Sequence, residues 1–512
     1  MRASAVRRLR PWVQALAFIL FVVVLVGAGR VATLPADLFF RADPLAGLAG
    51  MLAARRLVPA LLAGGLIALA LAVVAGRAWC GWLCPLGTVL DWAPAHRPAP
   101  KEANLDPRWR QVKYFLLGLI LLAALLGNLS LIFLDPITLI YRTTASAGWP
   151  ALVAIISGAE RALAGLPVPG LQDAVVAVDD FLRSAVLPMY QPVYGLGGLA
   201  ALLFAAVLAL NAWRARFWCR YLCPLGALLG LVSKMAWLRR AVSEGCVECA
   251  RCARACPTGT IDPARHYASD PSECIMCLEC VPSCAKAGQE FRGHLAPAAW
   301  QAYDPSRRQF IASAVGAVAV VGLCAAEPSA ARPGTFLLRP PGATDPGFLA
   351  QCLRCGICLK VCPTSGLQPS LTVAGWAGIW TPVLVPRLGY CDFSCNACGG
   401  ACPTGAIPQL TLDEKRKTVI GHAYVDRSRC LPWASARNCI TCEEMCPLPE
   451  KAIQIEDAKA WTADGQPTAV KRPHVLQERC IGCGICENHC PLNGQAGIRV
   501  YAPTDLGVVA AG

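Results

Sequence analysis

CVECARCARACP, running from Cys246 to Pro257, spaces its thiols as C-x2-C-x2-C-x3-C and stops at a proline. Three thiolates this close together on one turn can grip three irons of a cubane. The fourth, set apart before a helix-stopping proline, reaches a neighbouring cubane. The stretch therefore predicts a [4Fe-4S] site in a small α+β ferredoxin-like domain. The spacing returns at Cys274, Cys277, Cys280 and Cys284, where Ala285 replaces the proline, at Cys352, Cys355, Cys358 and Cys362, and at Cys480, Cys483, Cys486 and Cys490. Two variants open more widely: Cys391, Cys395, Cys398 and Cys402, and Cys430, Cys439, Cys442 and Cys446. The six groups use 24 of the 29 cysteines and predict about six [4Fe-4S] clusters, with those cysteines as iron ligands.

On the same logic Cys246, Cys249 and Cys252 share a cluster with Cys284, and Cys274, Cys277 and Cys280 share one with Cys256. For the last four groups the spacing leaves the partners open, a nested order of first with fourth and second with third being one arrangement. Structural zinc is the competing reading, but zinc sites pair C-x2-C knuckles across longer gaps instead of running three cysteines into Cys-Pro. No C-x-x-C-H, G-x-G-x-x-G or G-x-x-x-x-G-K-[ST] occurs, so covalent haem, dinucleotide binding and nucleotide hydrolysis have no support. His489, inside the last cluster loop, reads as a solvated loop histidine. No Ser-His-Asp arrangement can be argued, and no catalytic residue is assigned.

Upstream of residue 240 the chain is lipid-like. Of its 512 residues 55% are hydrophobic and 16% charged, and its mean hydropathy is +0.46, values that exclude an ordinary soluble enzyme. The formal charge of +14 counts every thiol as neutral; roughly six thiolate-bound cubanes would contribute about −12, so the basic balance says little about nucleic acid. Four apolar runs suit transmembrane helices: Trp12 to Gly29, Leu57 to Gly76, Tyr114 to Leu134 and Tyr194 to Trp213. The run from Ala151 to Val178 is broken by charges and prolines, and reads as helices lying on one surface. Sixteen lysines and arginines flank one side of these spans against seven on the other, which places the N-terminus and the segment after the fourth span in the cytoplasm.

RAWCGWLCPLG from Arg77 and RFWCRYLCPLG from Arg216 are an internal repeat, so the membrane half is duplicated. Each copy sets two cysteines at i and i+4, Cys80 with Cys84 and Cys219 with Cys223, on one helical face before a proline. These four thiols read either as an additional metal or redox site or as inert helix-end packing. Asp135 and Arg142, after the third span, read either as groups facing a quinone headgroup or as loop residues in solvent. Ser306-Arg307-Arg308-Gln309-Phe310-Ile311, followed by an apolar stretch, has the form of a twin-arginine export signal, placed internally. Cys324 is then a spare thiol. The expected organisation is a duplicated bundle over 1–240, a two-cluster domain over 241–298, a signal or transmembrane linker over 299–328 as a fifth span, and a four-cluster domain over 329–512.

At this point the chain resembles two families joined end to end. Residues 1 to about 298, with paired C-x3-C-P helix ends and two cluster motifs, are similar to the NapH/MauN membrane ferredoxin-type proteins. Residues from about 306, with SRRQFI, CDFSCNACGGACPTGAI and CLPWASARNCITCEEMCP, are similar to the NapG/MauM exported ferredoxin-type proteins. The resemblance implies a multi-pass bacterial inner-membrane electron-transfer protein, part of a quinol dehydrogenase. Its partners would be lipid, the quinone pool and a periplasmic cytochrome or reductase, and not nucleic acid. Two clusters would lie in the cytoplasm and four in the periplasm. The rival functions are a wholly cytoplasmic relay from soluble ferredoxin into quinone, and an accessory role in maturing or reactivating a metalloenzyme. Alkaline phosphatase fused after residue 400 is expected to be active in cells; an inactive fusion would favour the cytoplasmic relay.

Overall fold

The computed structural model describes residues 3–30, 34–95, 107–284, 288–294, 298, 307–326, 337–345, 347–371, 373–461 and 466–502. Ala285, Ser306 and the boundary between 327 and 336 lie outside the described residues. Within the bundle, prolines start six of the helices named below. Helix α1 covers Ala3–Gly27, followed by α2 at Pro44–Ala54, α3 at Pro59–Ala75 and α4 at Pro85–Trp92. The second set comprises α5 at Gln111–Leu125, α6 at Pro136–Thr143, α7 at Trp149–Ala164, α8 at Leu171–Ala185, α9 at Gly197–Trp213 and α10 at Pro224–Val232.

The duplication runs deeper than the cysteine phrases. Asp43 caps α2 by accepting from the Leu45 and Ala46 amides, and Asp135 caps α6 by accepting from Ile137 and Thr138. Cys84 and Cys223 cap α4 and α10 in the same way, each thiol accepting from a glycine amide three residues on. Each repeat thus holds one Asp-Pro and one Cys-Pro helix start, in which proline supplies a pre-set φ and costs no intrahelical hydrogen bond. Helices α1 to α4 correspond in order to α5, α6, α9 and α10. The hairpin of α7 and α8 is inserted in the second copy.

Two expectations change. Among the described residues three helices are long and apolar enough to cross a membrane, Ala5–Gly27, Pro136–Ala164 and Arg307–Cys324, which points to membrane association. Three of the four expected spans instead form helices of 15 or 17 residues. The run from Tyr114 ends at Leu125 because Gly127 turns left-handed and the Asn128 side chain accepts from the Ser130 amide, after which the chain continues as a separate short helix. Conversely, α6 and α7 join through a π-turn at Thr144–Gly148, so the interrupted run belongs to a longer helix as far as Ala164, and its remainder lies in α8.

Helix α11, Arg307–Ala326, lies along α5 in the same direction: Gln309 bonds Gln111 at one end, and Cys324 lies 3.9 Å from Ser130 at the other. Gly118 faces Ser313 and Gly316 faces Leu119, so small residues let the two backbones approach closely. The other face of α11 exposes Phe310, Ile311, Val315, Val318 and Leu323.

The two cluster-motif domains dock at opposite ends of this bundle. The first is framed by Leu238–Val242 paired antiparallel with Gln289–Gly293. It is tied to the bundle by Glu273, which bonds Arg77 and Lys113, and by the Trp82 indole donating to the Met276 carbonyl at 2.9 Å. The second contains the hairpins Leu367–Pro369 with Pro382–Leu384 and Ile453–Trp461 with Pro467–Val475, and the pair His422–Val425 with Ile498–Tyr501. It sits on the far end, where Leu353, Cys355, Ile357 and Val361 join the core of the bundle. Tyr194 donates to the Leu359 carbonyl there at 2.8 Å.

Leu353 is 2% exposed and packs on Gly50. Leu353→Asp would place an unpaired charge in that seam at a cost of about 3 kcal/mol or more. Limited trypsin digestion is expected to release the C-terminal domain from the variant and not from the parent; identical digestion patterns would contradict the docking.

Candidate iron–sulfur sites and the buried charges around them

In the four C-x2-C-x2-C loops the residues on both sides of the middle cysteine take left-handed backbone: Glu248 and Ala250, Met276 and Leu278, Arg354 and Gly356, Gly482 and Gly484. For a side chain with a Cβ this conformation costs of order 1 kcal/mol or more. Its return is a concave run of backbone N–H groups suited to an anion. The two variant motifs lack this flanking pair among the described residues. Spacing alone did not show the feature, although glycines at 356, 482 and 484 hinted at it.

The loops line cavities, and each cavity collects three cysteines of one motif with the fourth of another. Cys274, Cys277, Cys280 and Cys256 ring about 340 Å³. Cys352, Cys355, Cys358 and Cys402 ring about 410 Å³, and Cys391, Cys395, Cys398 and Cys362 a further 410 Å³ or so. Cys430, Cys439, Cys442 and Cys490 ring about 370 Å³, and Cys480, Cys483, Cys486 and Cys446 about 340 Å³. Cys284 sits beside Cys246, the Gly288 amide donating to its sulfur at 3.1 Å, with Cys252 and the exposed Cys249 nearby. The structure therefore does not gather the last four motifs in nested order. They pair as third with fourth and fifth with sixth, because each motif's short helix, such as Ile357–Val361, carries its fourth cysteine only as far as the next loop.

These sites fit an anionic polynuclear group. Among the described residues no three Cys, His, Asp or Glu side chains converge tightly enough to chelate a single ion, as structural zinc requires. Backbone amides donate to the sulfurs of Cys402, Cys480 and Cys490 at 3.3 to 3.5 Å. Among the described residues, three buried cations beside these thiols, Arg354, Arg142 and Arg240, form no ion pair with a carboxylate. Arg354, 1% exposed, donates only to backbone carbonyls, and Arg142, 2% exposed, stacks 4.1 Å from Trp380 next to Cys355. Arg240 reaches the Cys252 sulfur at 3.9 Å. Buried, uncompensated guanidinium is costly, and the negative charge of a thiolate-bound cluster removes that cost. Burial pushes the Cys391 thiol up to about 11 and Cys442 up to about 12, so a bound cation must displace the proton.

The remaining candidates are also placed. Cys80, Cys84, Cys219 and Cys223 all enter one buried cluster within mutual electrostatic reach. Asp135 and Arg142 are buried, not loop residues in solvent. His489 is half-buried, its ring against Tyr390 and its Nδ1 3.0 Å from the Ile485 carbonyl, so it is not a solvated histidine. Sequence reading missed Asp43, for which the shared Asp-Pro of ADPL and LDPI was the available signal.

Residues 57–98 and 194–243 match a family model described as a 4Fe-4S binding domain, and residues 473–493 match another of the same description. The first model spans the four bundle cysteines. Methylamine utilization ferredoxin-type protein MauM of Methylorubrum extorquens is 37% identical over 218 residues, covering 41% of this chain and 94% of that protein. The chain belongs to the MauM/NapG family of ferredoxin-type proteins. The family's NapG from Haemophilus influenzae is 34% identical over 215 residues, covering 40% of this chain and 74% of the relative. MauM of Paracoccus denitrificans is 35% identical over 219 residues, 40% of this chain and 92% of the relative. No solved structure matches. This MauM/NapG member is thus an iron–sulfur electron-transfer protein of the ferredoxin type.

Cys402→Ser is expected to perturb the same electron paramagnetic resonance component as Cys352→Ser, and to leave the component sensitive to Cys430→Ser unchanged. A shared component for Cys352→Ser and Cys490→Ser would restore the nested order.

Proposed function

We propose that this chain is a membrane-bound polyferredoxin that oxidises quinol within its bundle and passes the electrons to an acceptor at the end carrying residues 337–502. On this reading residues 1–298 are the NapH/MauN-like half, the N-terminus and the 238–294 domain face the cytoplasm, and α11 carries the chain to the periplasm. The observation that carries the reading is a pair of facing carboxyls beside the docked third cysteine set. Asp43 and Asp135 are 0% exposed. Each commits one oxygen to two backbone amides; the other, Oδ2 of Asp43 and Oδ1 of Asp135, receives no N–H, and the two carboxyls meet each other. Two carboxylates cannot both stay ionised in such a place, so the pair holds a shared proton.

Tyr141, on the helix that Asp135 caps, packs its ring 5.5 Å from Phe40 and has its hydroxyl within electrostatic reach of Cys355 and Cys358. Iron–sulfur clusters held by the cysteines supply one-electron transfer when bound. The residues of the bundle have the complementary task. Quinol oxidation yields two electrons and two protons, and the Asp43–Asp135 pair takes the protons in turn, returning each time to its single-proton state as it hands them to the outer face. Arg142, beside Cys355, favours the arriving negative charge. The 238–294 domain, where Cys249 is exposed, is a second electron port at the opposite end.

Anaerobic full-length protein mixed with a water-soluble quinol analogue is expected to show reduced clusters within the mixing experiment. Asp135→Asn is expected to slow that reduction about 100-fold or more with iron content unchanged. No reduction of the parent, or an unaltered rate in the variant, would overturn the quinol reading.

A further inference from the structure

The third and fourth cysteine sets lie against the bundle, where Cys355 is part of its core and Cys398 packs on it. The sixth set adjoins the fourth: the Cys391 amide donates to the Cys483 carbonyl at 2.8 Å, and Ile481 and Ile485 pack with Tyr390 and Phe393. The fifth set meets the sixth through the exchange of Cys446 and Cys490, with Cys442 within electrostatic reach of Cys486. Among the described residues, neither the fifth nor the sixth motif contributes to the bundle core. From the bundle outward the order is third, fourth, sixth, fifth, so the fifth set ends the row.

The fifth motif is also the one that carries eight residues, Leu431 to Asn438, between its first two cysteines. Ala434, Ser435, Arg437 and Asn438 are exposed, while Leu431 lines the cavity of the set together with Pro473 of the strand Pro467–Val475. The insert is therefore the set's cover toward solvent. Trp433 stands one helical turn from Cys430, its amide donating to the Cys430 carbonyl at 2.9 Å and its indole to the Pro473 carbonyl at 3.4 Å. The guanidiniums of Arg427 and Arg472 each lie 4.5 Å from the centre of its ring. Arg437 is tied to the same turn by its amide, which donates to the Leu431 carbonyl at 3.2 Å, and Lys471 by its amide, which donates to Asn438 at 2.8 Å.

Arg427, Arg429, Arg437 and Lys471 are exposed, and Arg472 is half-buried with its Nε unpartnered. Among the described residues none of the five forms an ion pair. The carboxylates of this stretch are fewer: Asp426 accepts from the Ser428 amide and hydroxyl, Glu456 stands across the hairpin from Arg472 and pairs with His474 at 3.2 Å, and Asp457 stands across from Lys471. The face is thus net positive. Unlike Arg354, its exposed cations need no buried counter-charge. Arginine and tryptophan are the residues that dominate protein interfaces, and a ring of one charge steers an oppositely charged partner onto them.

We propose that electrons leave the chain at the fifth set, to a soluble one-electron carrier protein whose redox centre is ringed by carboxylates and which docks on Trp433 and its flanking cations. Each encounter passes one quinol-derived electron outward and reduces the carrier by one; no bond forms or breaks. This rests on the relay reading for the source of the electrons, but docking belongs to the surface and is measured without turnover, so the two fail separately.

The test sets oxidised full-length protein in detergent against cytochrome c with its lysines succinylated, and against the unmodified, basic cytochrome. Biolayer interferometry is expected to show binding of the succinylated form alone, weakening about tenfold or more between roughly 20 and 200 mM salt. Arg427→Glu with Arg437→Glu, both at exposed positions, is expected to lower that affinity about tenfold or more at unchanged iron and sulfide content. Should the reversed charges cost iron, Arg427→Gln with Arg437→Gln carries the same test, with about a threefold loss expected. A carbodiimide is expected to join Lys471 to a carboxylate of the succinylated cytochrome. No binding of that form, equal binding of both forms, an unaltered affinity in the variants, or cross-links confined to lysines elsewhere would each overturn the proposal.

Discussion

Two guanidiniums crossing one pseudo-symmetry axis are the constraint from which the rest of the molecule follows. Arg77 and Arg216 are both 1% exposed; Arg216 spends its guanidinium donors on the first repeat, and Arg77 divides its own between the Cys219 carbonyl of the second and Ser272 and Glu273 of the docked domain. Two adjacent helix bundles could slide against one another; two bundles whose arginines bond each other's cysteine carbonyls cannot do so without stranding a charge in a dry interior, a loss of several kcal/mol. The same arginines are anchored by Glu273 and Asp91, and Glu273 immediately precedes Cys274. Fixing the bundle axis thus also fixes the loop of the second cluster motif.

At the other end of the axis the interactions change from cationic to carboxylic. Asp43 and Asp135 replace Cys84 and Cys223 as caps of proline-started helices. One geometry, a side chain accepting from the first helical amides, places carboxyls at one end and thiols at the other. The bundle is polarised by what its caps are, while its helical skeleton is repeated. The two docked domains are separated accordingly, and α11 provides the covalent return between them.

The grouping of the cysteines was legible because the motif's spacing is short and fixed, and the exchange of a fourth cysteine between the first two motifs, seen in the cavity of Cys274, Cys277, Cys280 and Cys256, follows from it. The pairing of the last four motifs was not legible, because nothing local distinguishes Cys402 from Cys490 as partner to Cys352; only packing does. Span lengths were misjudged for a related reason. Hydropathy does not see Gly127 turning left-handed or the π-turn that fuses α6 to α7. For Asp135 and Arg142 the choice between a headgroup-facing group and a solvated loop residue stayed open, because their partners, Asp43 and Trp380, are remote in sequence. The Cys80 and Cys219 repeat was visible, but whether its copies meet was a question for the fold.

The most direct test of the central claim, that paired cysteine sets at both ends of an apolar bundle hold iron–sulfur clusters, is elemental analysis of anaerobically prepared full-length protein. About four irons and four acid-labile sulfides for each motif set, with zinc near zero, is the predicted composition. Zinc at about one ion per set, with iron and sulfide near zero, would contradict it.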